Sequence, residues 1–171
     1  MQATPKAGAV TDLEILNFAL GMEHLVNAFY NESEEFDLGT TETRASINQL
    51  FALMHLHTAA HVGTLIEDID SRGGTPVPML KYSFPVESAE DFYAIAQDVS
   101  GLLVHTYYGG MHLIQEPRVL VGASQFAAVA AKSHAIICAL AGASPLAPMV
   151  PYLSMDEVHA RADIYISSQE I

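Results

Sequence analysis

Apolar side chains recur with the 3.6-residue period of an amphipathic helix along four long segments of the chain. Start and stop signals bound each segment, and the pattern predicts helices over residues 11–36, 43–71, 88–113 and 118–140. A capping box at Ser154 and Glu157 predicts a short fifth helix. Strand-like alternation is nearly absent from the sequence, so the pattern predicts an all-α protein.

The residues at the predicted helix ends support these bounds. Thr11 and Glu14 also have the spacing of a capping box, in which each side chain satisfies a free backbone N–H group at a helix start. Gly73-Gly74 ends the second helix, and three prolines keep the linker over residues 75–86 extended. We therefore expect a single domain over residues 1–171, a four-helix bundle with a long crossover between helices two and three and a short C-terminal helix.

Five polar residues lie on the apolar stripes of these helices, and a bundle brings its stripes together in the centre. They are Glu23 on helix one, Thr58 and His61 on helix two, Ser100 on helix three and His134 on helix four. A buried carboxylate beside two buried histidines is costly unless the groups pair with one another or with a ligand. The centre of the bundle is therefore the candidate functional site.

This set resembles, in part, the site of di-iron carboxylate bundles. Those proteins use one Glu from each of two helices and a Glu-x-x-His pair from each of the other two. Glu23 fits a single-Glu position, but Thr58, Ser100 and Ala131 stand where the other three carboxylates would be. Thr, Ser and Ala supply no anionic oxygen to offset the charge of two irons, so di-iron chemistry is not expected.

Composition and charge narrow the choice of partners. Seven Lys plus Arg against twenty Asp plus Glu give a formal net charge of −13, which disfavours nucleic acid and anionic membranes as partners. Only 16% of the residues are charged and 50% are apolar, so we expect a buried subunit interface, as in a homodimer. The apolar stretch over residues 126–143 contains Lys132, Ser133 and His134 and falls short of a membrane-spanning helix.

Two further features bear on chemistry and location. Cys138, the only cysteine, lies in an apolar run, which excludes an intrachain disulfide and a thiolate metal cluster and predicts an inert core thiol. Residues 1–10 lack the apolar core of a secretion signal. We therefore expect a cytoplasmic protein, or an exported one if the chain is a mature form.

Several separated stretches resemble one known family, the ferritin-like proteins grouped with plant desiccation-related proteins and their fungal and bacterial relatives. The stretches are residues 15–20, 23–25 and 28–30 in helix one, 73–78 and 82–85 in the crossover, 96–97 and 107–110 in helix three, and 153–158 near the end. The resemblance implies the ferritin-like fold over nearly the whole chain. It also implies that Glu23, His61 and His134 occupy positions of family metal ligands and that the di-iron site is degenerate.

Three interpretations of the centre remain open. In the first, the protein is a structural or stress-related bundle and Glu23 is hydrogen-bonded to one histidine. In the second, Glu23, His61 and His134 hold a single iron, zinc or manganese ion as a two-His, one-carboxylate set. His57, one turn before His61 on an adjoining face, is the substitute ligand in that case.

In the third interpretation, which we favour, the missing carboxylates leave a pocket for a small, largely apolar molecule, and no cofactor is needed. Glu23 acts as the base or orienting group, with His61 and His134 as acid–base partners. The expected chemistry is proton transfer without redox: isomerisation, cyclisation, elimination or hydrolysis. The candidate substrate-binding residues are Thr58, Ser100, Ala131, Tyr30, Tyr107 and His57.

Overall fold

The computed structural model describes residues 10–33, 36, 41–145 and 149–167. These residues form a helical bundle, which confirms the predicted all-α fold. Its helices are α1 (Asp12–Glu32), α2 (Thr41–Ser71), α3 (Ala89–Gly110), α4 (Pro117–Leu140) and α5 (Met155–Ala162). Residues 1–9, on which the prediction of no secretion signal rests, lie outside the described part of the chain.

The predicted helix ends are largely confirmed. Both capping boxes form: Oγ1 of Thr11 accepts from the Glu14 N–H at 3.2 Å, and the equivalent bonds are present at the start of α5. α2 ends at Ser71, and Gly73, two residues later, has a φ of 74°, the left-handed conformation that glycine adopts readily. α1 stops at Glu32 rather than near Phe36, and the last three residues predicted for the third helix form a 3-10 turn, Met111–Leu113.

The four long helices are arranged so that α1 packs against α2 and α3, while α3 packs against α4. Phe29 of α1 stacks on Phe92 near the start of α3, with ring centroids 5.2 Å apart, so α1 and α3 run in opposite directions. Phe51 of α2 meets the same Phe92 ring edge-on at 5.0 Å. These fully buried rings fill one end of the bundle and bring the polar residues of the stripes to its middle.

The crossover and the C-terminal segment cover the outer side of α1 and α3. Asn17 of α1 accepts a hydrogen bond from the Val77 N–H at 2.8 Å, and Tyr165 donates to Asp98 of α3 at 2.7 Å. A Cβ on Gly109 would lie 2.3 Å from the carbonyl oxygen of Leu153, so α3 and the segment before α5 approach closely because this position is glycine. The short helix α5 likewise packs against α3 and α1.

The fourth helix departs from its predicted apolar stripe. Leu120, assigned to that stripe from its spacing, is 40% exposed, while Val119 is buried in its place. Among the described helices α4 is the one long and apolar enough to cross a membrane by length and composition, with a mean hydropathy of 1.3 over its best 18 residues. Only 22% of that window is buried, so α4 keeps a broad apolar surface outside the core.

Candidate functional site

The centre of the bundle is built around Glu23, which has no solvent exposure. Glu23 lies on the buried stripe of α1, as its spacing predicts. Its Oε1 atom accepts a short hydrogen bond from the hydroxyl of Tyr107 on α3 and lies 2.9 Å from Nδ1 of His61 on α2. Helices α2 and α3 therefore place an imidazole and a phenol on one carboxylate oxygen of α1.

The ring of His61 is held in place by an aromatic neighbour. Phe126 of α4 stacks on it with centroids 4.0 Å apart and an interplanar angle of 19°. Phe126 also meets the ring of Tyr107 at 6.1 Å in an edge-to-face arrangement. One α4 side chain therefore touches both groups that contact Glu23, and its stacking restricts the tilt of the imidazole ring.

The second carboxylate oxygen of Glu23 has no hydrogen-bond partner among the described residues. A buried oxygen without a partner costs free energy, because the water it leaves behind is not replaced. Such an atom can be satisfied by a proton, a buried water molecule or a ligand. It is therefore the point at which the cluster can accept a further group.

Burial and the nearby carboxylate raise the pKa values of both core phenols. The pKa of Tyr107 lies well above its usual value of 10.0, because the ring is desolvated and its hydroxyl donates to Glu23. Burial, and then the charge of Glu23, likewise raise the pKa of Tyr30. Both hydroxyls therefore stay protonated at neutral pH and can act as donors.

His134 belongs to a second polar cluster between α3 and α4. Its Nδ1 atom lies 2.8 Å from the hydroxyl of Ser100, and its Nε2 atom lies 3.5 Å from the sulfur of Cys138. Burial, with a smaller contribution from the charge of His105, lowers the pKa of His134. Cys138 is buried, as its apolar surroundings predict. The predicted pair of His61 and His134 is thus divided between two hydrogen-bonded groups.

The remaining predicted residues have other partners. The Thr58 hydroxyl is occupied: it donates to the His55 carbonyl at 3.0 Å and accepts from the side chain of Asn27 at 2.8 Å. His57 is exposed on α2. Ala131 is partly buried against the core, and Tyr30 packs edge-on against Phe51 with centroids 5.7 Å apart.

A cavity of about 570 Å³ opens between α2 and α4, beside this cluster. Its mouth carries Arg72, which bonds Asp68 at 3.0 Å and Glu116 at a shorter distance. Its inner wall is mostly apolar and includes Leu16, Leu65, Val119, Ala123, Phe126 and Tyr107. The described residues that line the cavity do not include Glu23, His61 or His134. The rings of Tyr107 and Phe126 thus touch the cavity on one side and the Glu23 cluster on the other.

The residues present do not fit a metal centre. No group of three or more His, Cys, Asp or Glu side chains placed to hold a metal ion occurs in the described part of the chain. The hydroxyls of Thr58 and Ser100 are engaged with Asn27 and His134, and neither supplies an anion. In the described part of the chain, Glu23, His61 and His134 therefore do not form the three-ligand set of the mononuclear alternative.

Comparison with known proteins identifies the class. A family model described as a ferritin-like domain matches residues 11–143, and the chain belongs to this family. The solved structure of a conserved hypothetical protein, rv2844, from Mycobacterium tuberculosis is similar, with a TM-score of 0.68 and 21% sequence identity. The match covers 82% of this chain and 96% of that one, and at this identity it shows the fold alone. A comparison with curated proteins found no match.

Sequence reasoning missed two residues of the site. Asn27, the partner of Thr58, lies one turn after Glu23 on the same helix, so the spacing of four residues could have identified it. Phe126 carries no polar group, and nothing in the sequence marks it as the residue that stacks on His61. Its role depends on how α4 packs beside α2.

Proposed function

We propose that this ferritin-like protein binds a small, largely apolar molecule in the cavity between α2 and α4. The observation that carries the proposal is the shared wall: Tyr107 and Phe126 line the cavity and also contact Glu23 and His61. A volume of about 570 Å³ with mostly apolar walls and a few polar groups is within the size range of small-molecule sites.

The chemistry we propose at this site is proton transfer without redox, with Glu23 as the group that accepts the proton. Glu23 is separated from the cavity by Tyr107, so the phenol serves as a relay. In the relay, a substrate proton passes to the Tyr107 oxygen while the Tyr107 hydroxyl proton passes to Oε1 of Glu23. His61, 2.9 Å from the same oxygen, stabilises the charged carboxylate before the transfer. The products are a deprotonated substrate and a neutral Glu23.

We also infer that this chain has lost the di-iron site of its family. This inference is supported by the hydroxyls of Thr58 and Ser100, which make internal hydrogen bonds rather than facing a common centre. His134 contributes to the proposed chemistry only by fixing Ser100 and the α3–α4 contact, because its partners are Ser100 and Cys138. The acid–base group is therefore Glu23, His61 and Tyr107.

Binding is tested with a neutral apolar dye, N-phenyl-1-naphthylamine, whose fluorescence rises in an apolar pocket. We expect a saturable rise with the wild-type protein and its loss in Ala123→Phe, which fills the cavity from α4. Ala94→Phe, at an exposed alanine of α3, is the matched control and retains dye binding. Absence of a saturable signal in the wild type, or equal binding by both variants with native circular dichroism, would refute the proposal.

A second candidate function is a purely structural bundle. The observation that favours it is the full burial of Glu23 behind Tyr107 and Phe126, outside the lining of the cavity. In that case the polar cluster only fixes the packing of α1, α2 and α3. Dye binding that survives Ala123→Phe, together with a loss of stability on removal of the cluster, supports this alternative.

A further inference from the structure

One side of the bundle carries almost no charge. We define the α2/α4 face as the outward surface of residues 45–66 of α2 and 119–140 of α4. These 44 residues contain one charged residue, Lys132, in a chain with seven Lys plus Arg and twenty Asp plus Glu. The large apolar side chains exposed on this face are Leu53, Leu56, Leu120, Val121 and Ile136.

The two helices of this face are neighbours that run in opposite directions. His61 stacks on Phe126, and Arg72 at the end of α2 bonds Glu116 just before α4. The uncharged part of α2 therefore lies alongside the uncharged part of α4. The cavity of about 570 Å³ lies between them at one end of the face, beside Thr64 and Val119.

We propose that the α2/α4 face binds the same face of a second copy of this chain, around a two-fold axis. Two chains with a net charge of −13 repel each other, and they can approach only where acidic side chains are absent. Twenty-two helical residues span ~33 Å, and two neighbouring helices are ~20 Å wide, which gives roughly 650 Å² per chain. This area is comparable with the roughly 800 Å² per partner of a standard interface.

A second copy fits this face better than a membrane does. Helices that lie on membranes carry Lys and Arg on the polar edge and Trp or Phe on the apolar one. Here the chain has no Trp, and Glu67, Asp68 and Glu116 lie at the mouth of the cavity. These carboxylates are repelled by anionic headgroups, whereas an isologous contact needs only matching uncharged surfaces.

The mouth of the cavity lies beyond the α2/α4 face. Thr64, Val119 and Ala123 line the cavity within the face, whereas Glu67, Asp68 and Glu116 line it outside the face. The contact therefore leaves the mouth open to solvent, and it does not depend on the proposed function. Loss of dye binding with an intact dimer would refute only the ligand site, and dye binding by a monomer would refute only the contact.

The test is light scattering after size exclusion at micromolar concentration. We expect twice the chain mass of 18.4 kDa for the wild type, and a shift to monomer for Leu56→Glu, at a side chain that is 63% exposed. Val121→Glu, 57% exposed on α4, is the second disrupting variant. Ile164→Glu, 71% exposed beyond α5 on the opposite side, is the matched control and stays dimeric.

Several outcomes overturn the proposal. A monomeric wild type does so directly. So does a dimer that survives both Leu56→Glu and Val121→Glu with native circular dichroism. Binding of a monomer to phosphatidylcholine vesicles that Leu56→Glu abolishes would show instead that this face contacts lipid.

Discussion

His61 Nδ1 lies 2.9 Å from Oε1 of Glu23, in a bundle centre where the carboxylate has no contact with solvent. The same oxygen accepts from Tyr107, so Oε1 is an acceptor twice while Oε2 has no partner among the described residues. A buried carboxylate is more stable when both of its oxygens accept hydrogen bonds, so an arrangement selected only for stability would not leave Oε2 without a partner. It leaves one oxygen for another group.

The first prediction concerns the free energy of unfolding after removal of this pair. His61→Ala removes one of two donors to a buried carboxylate, so we expect a loss of about 3 kcal/mol. The double variant Glu23→Leu/His61→Leu removes the buried ion pair at similar volume and leaves only the Tyr107 hydroxyl unpaired, so it should lose less stability than His61→Ala. Urea unfolding followed by circular dichroism measures both. If the double variant were as unstable as His61→Ala, the hydrogen-bonded pair of Glu23 and His61 would itself stabilise the fold.

The second prediction separates the hydroxyl of Tyr107 from its ring. Tyr107→Phe removes the donor to Glu23 but keeps the ring that lines the cavity, so stability should fall by about 1–3 kcal/mol while dye binding remains. Tyr108→Phe, at the adjacent exposed position, is the control and should change stability by less than about 0.5 kcal/mol. An unchanged urea midpoint in Tyr107→Phe would contradict a hydrogen bond between this hydroxyl and Glu23.

The third prediction is loss of stability between pH 7 and pH 5. Burial is the largest cause that lowers the pKa values of His24, His105 and His134 in the folded state. The unfolded chain therefore binds protons more readily, so the stability is present above about pH 6.5 and falls as the pH drops below that value. The carboxyls with lowered pKa, such as Glu14 and Glu157, act only below about pH 4.5.

Urea midpoints at pH 7.5, 6.5 and 5.5 measure this slope. His134→Gln keeps a polar side chain but cannot titrate, so the slope should be smaller in this variant. Stability that is flat or rises towards pH 5.5 in the wild type would contradict the prediction.

The fold could be predicted from the sequence because its signals are local. The capping box of Thr11 and Glu14, the glycine pair after α2 and the period of the apolar residues depend only on neighbours along the chain. The same periodicity placed Glu23 and His61 in the core, and both are buried there. The exposed position of Leu120 cannot be predicted from spacing, because it depends on how α4 is rotated against its neighbours.

The grouping of the site residues could not be predicted in the same way. A helical stripe shows which side a residue faces, but the partner it meets depends on helix rotation and on axial shifts of a few ångströms. His61 and His134 lie on corresponding stripes, yet one faces Glu23 and the other Ser100. Spacing predicts that Tyr107 contacts a substrate, but it does not show that the Tyr107 hydroxyl donates to Glu23.

The fourth prediction concerns the close approach of α3 to the segment before α5. In Gly109→Ala the new Cβ would lie 2.3 Å from the Leu153 carbonyl oxygen, a backbone atom that cannot rotate away. We expect a loss of about 1–3 kcal/mol from the forced backbone shift. Gly21→Ala on α1 is the matched control: its Cβ meets only the Val77 side chain, at 4.0 Å, and the higher helix propensity of alanine should add about 0.5–1 kcal/mol. Thermal unfolding of both variants at one protein concentration measures the difference, and equal or reversed shifts would show that the segment around Leu153 does not pack on α3 as described.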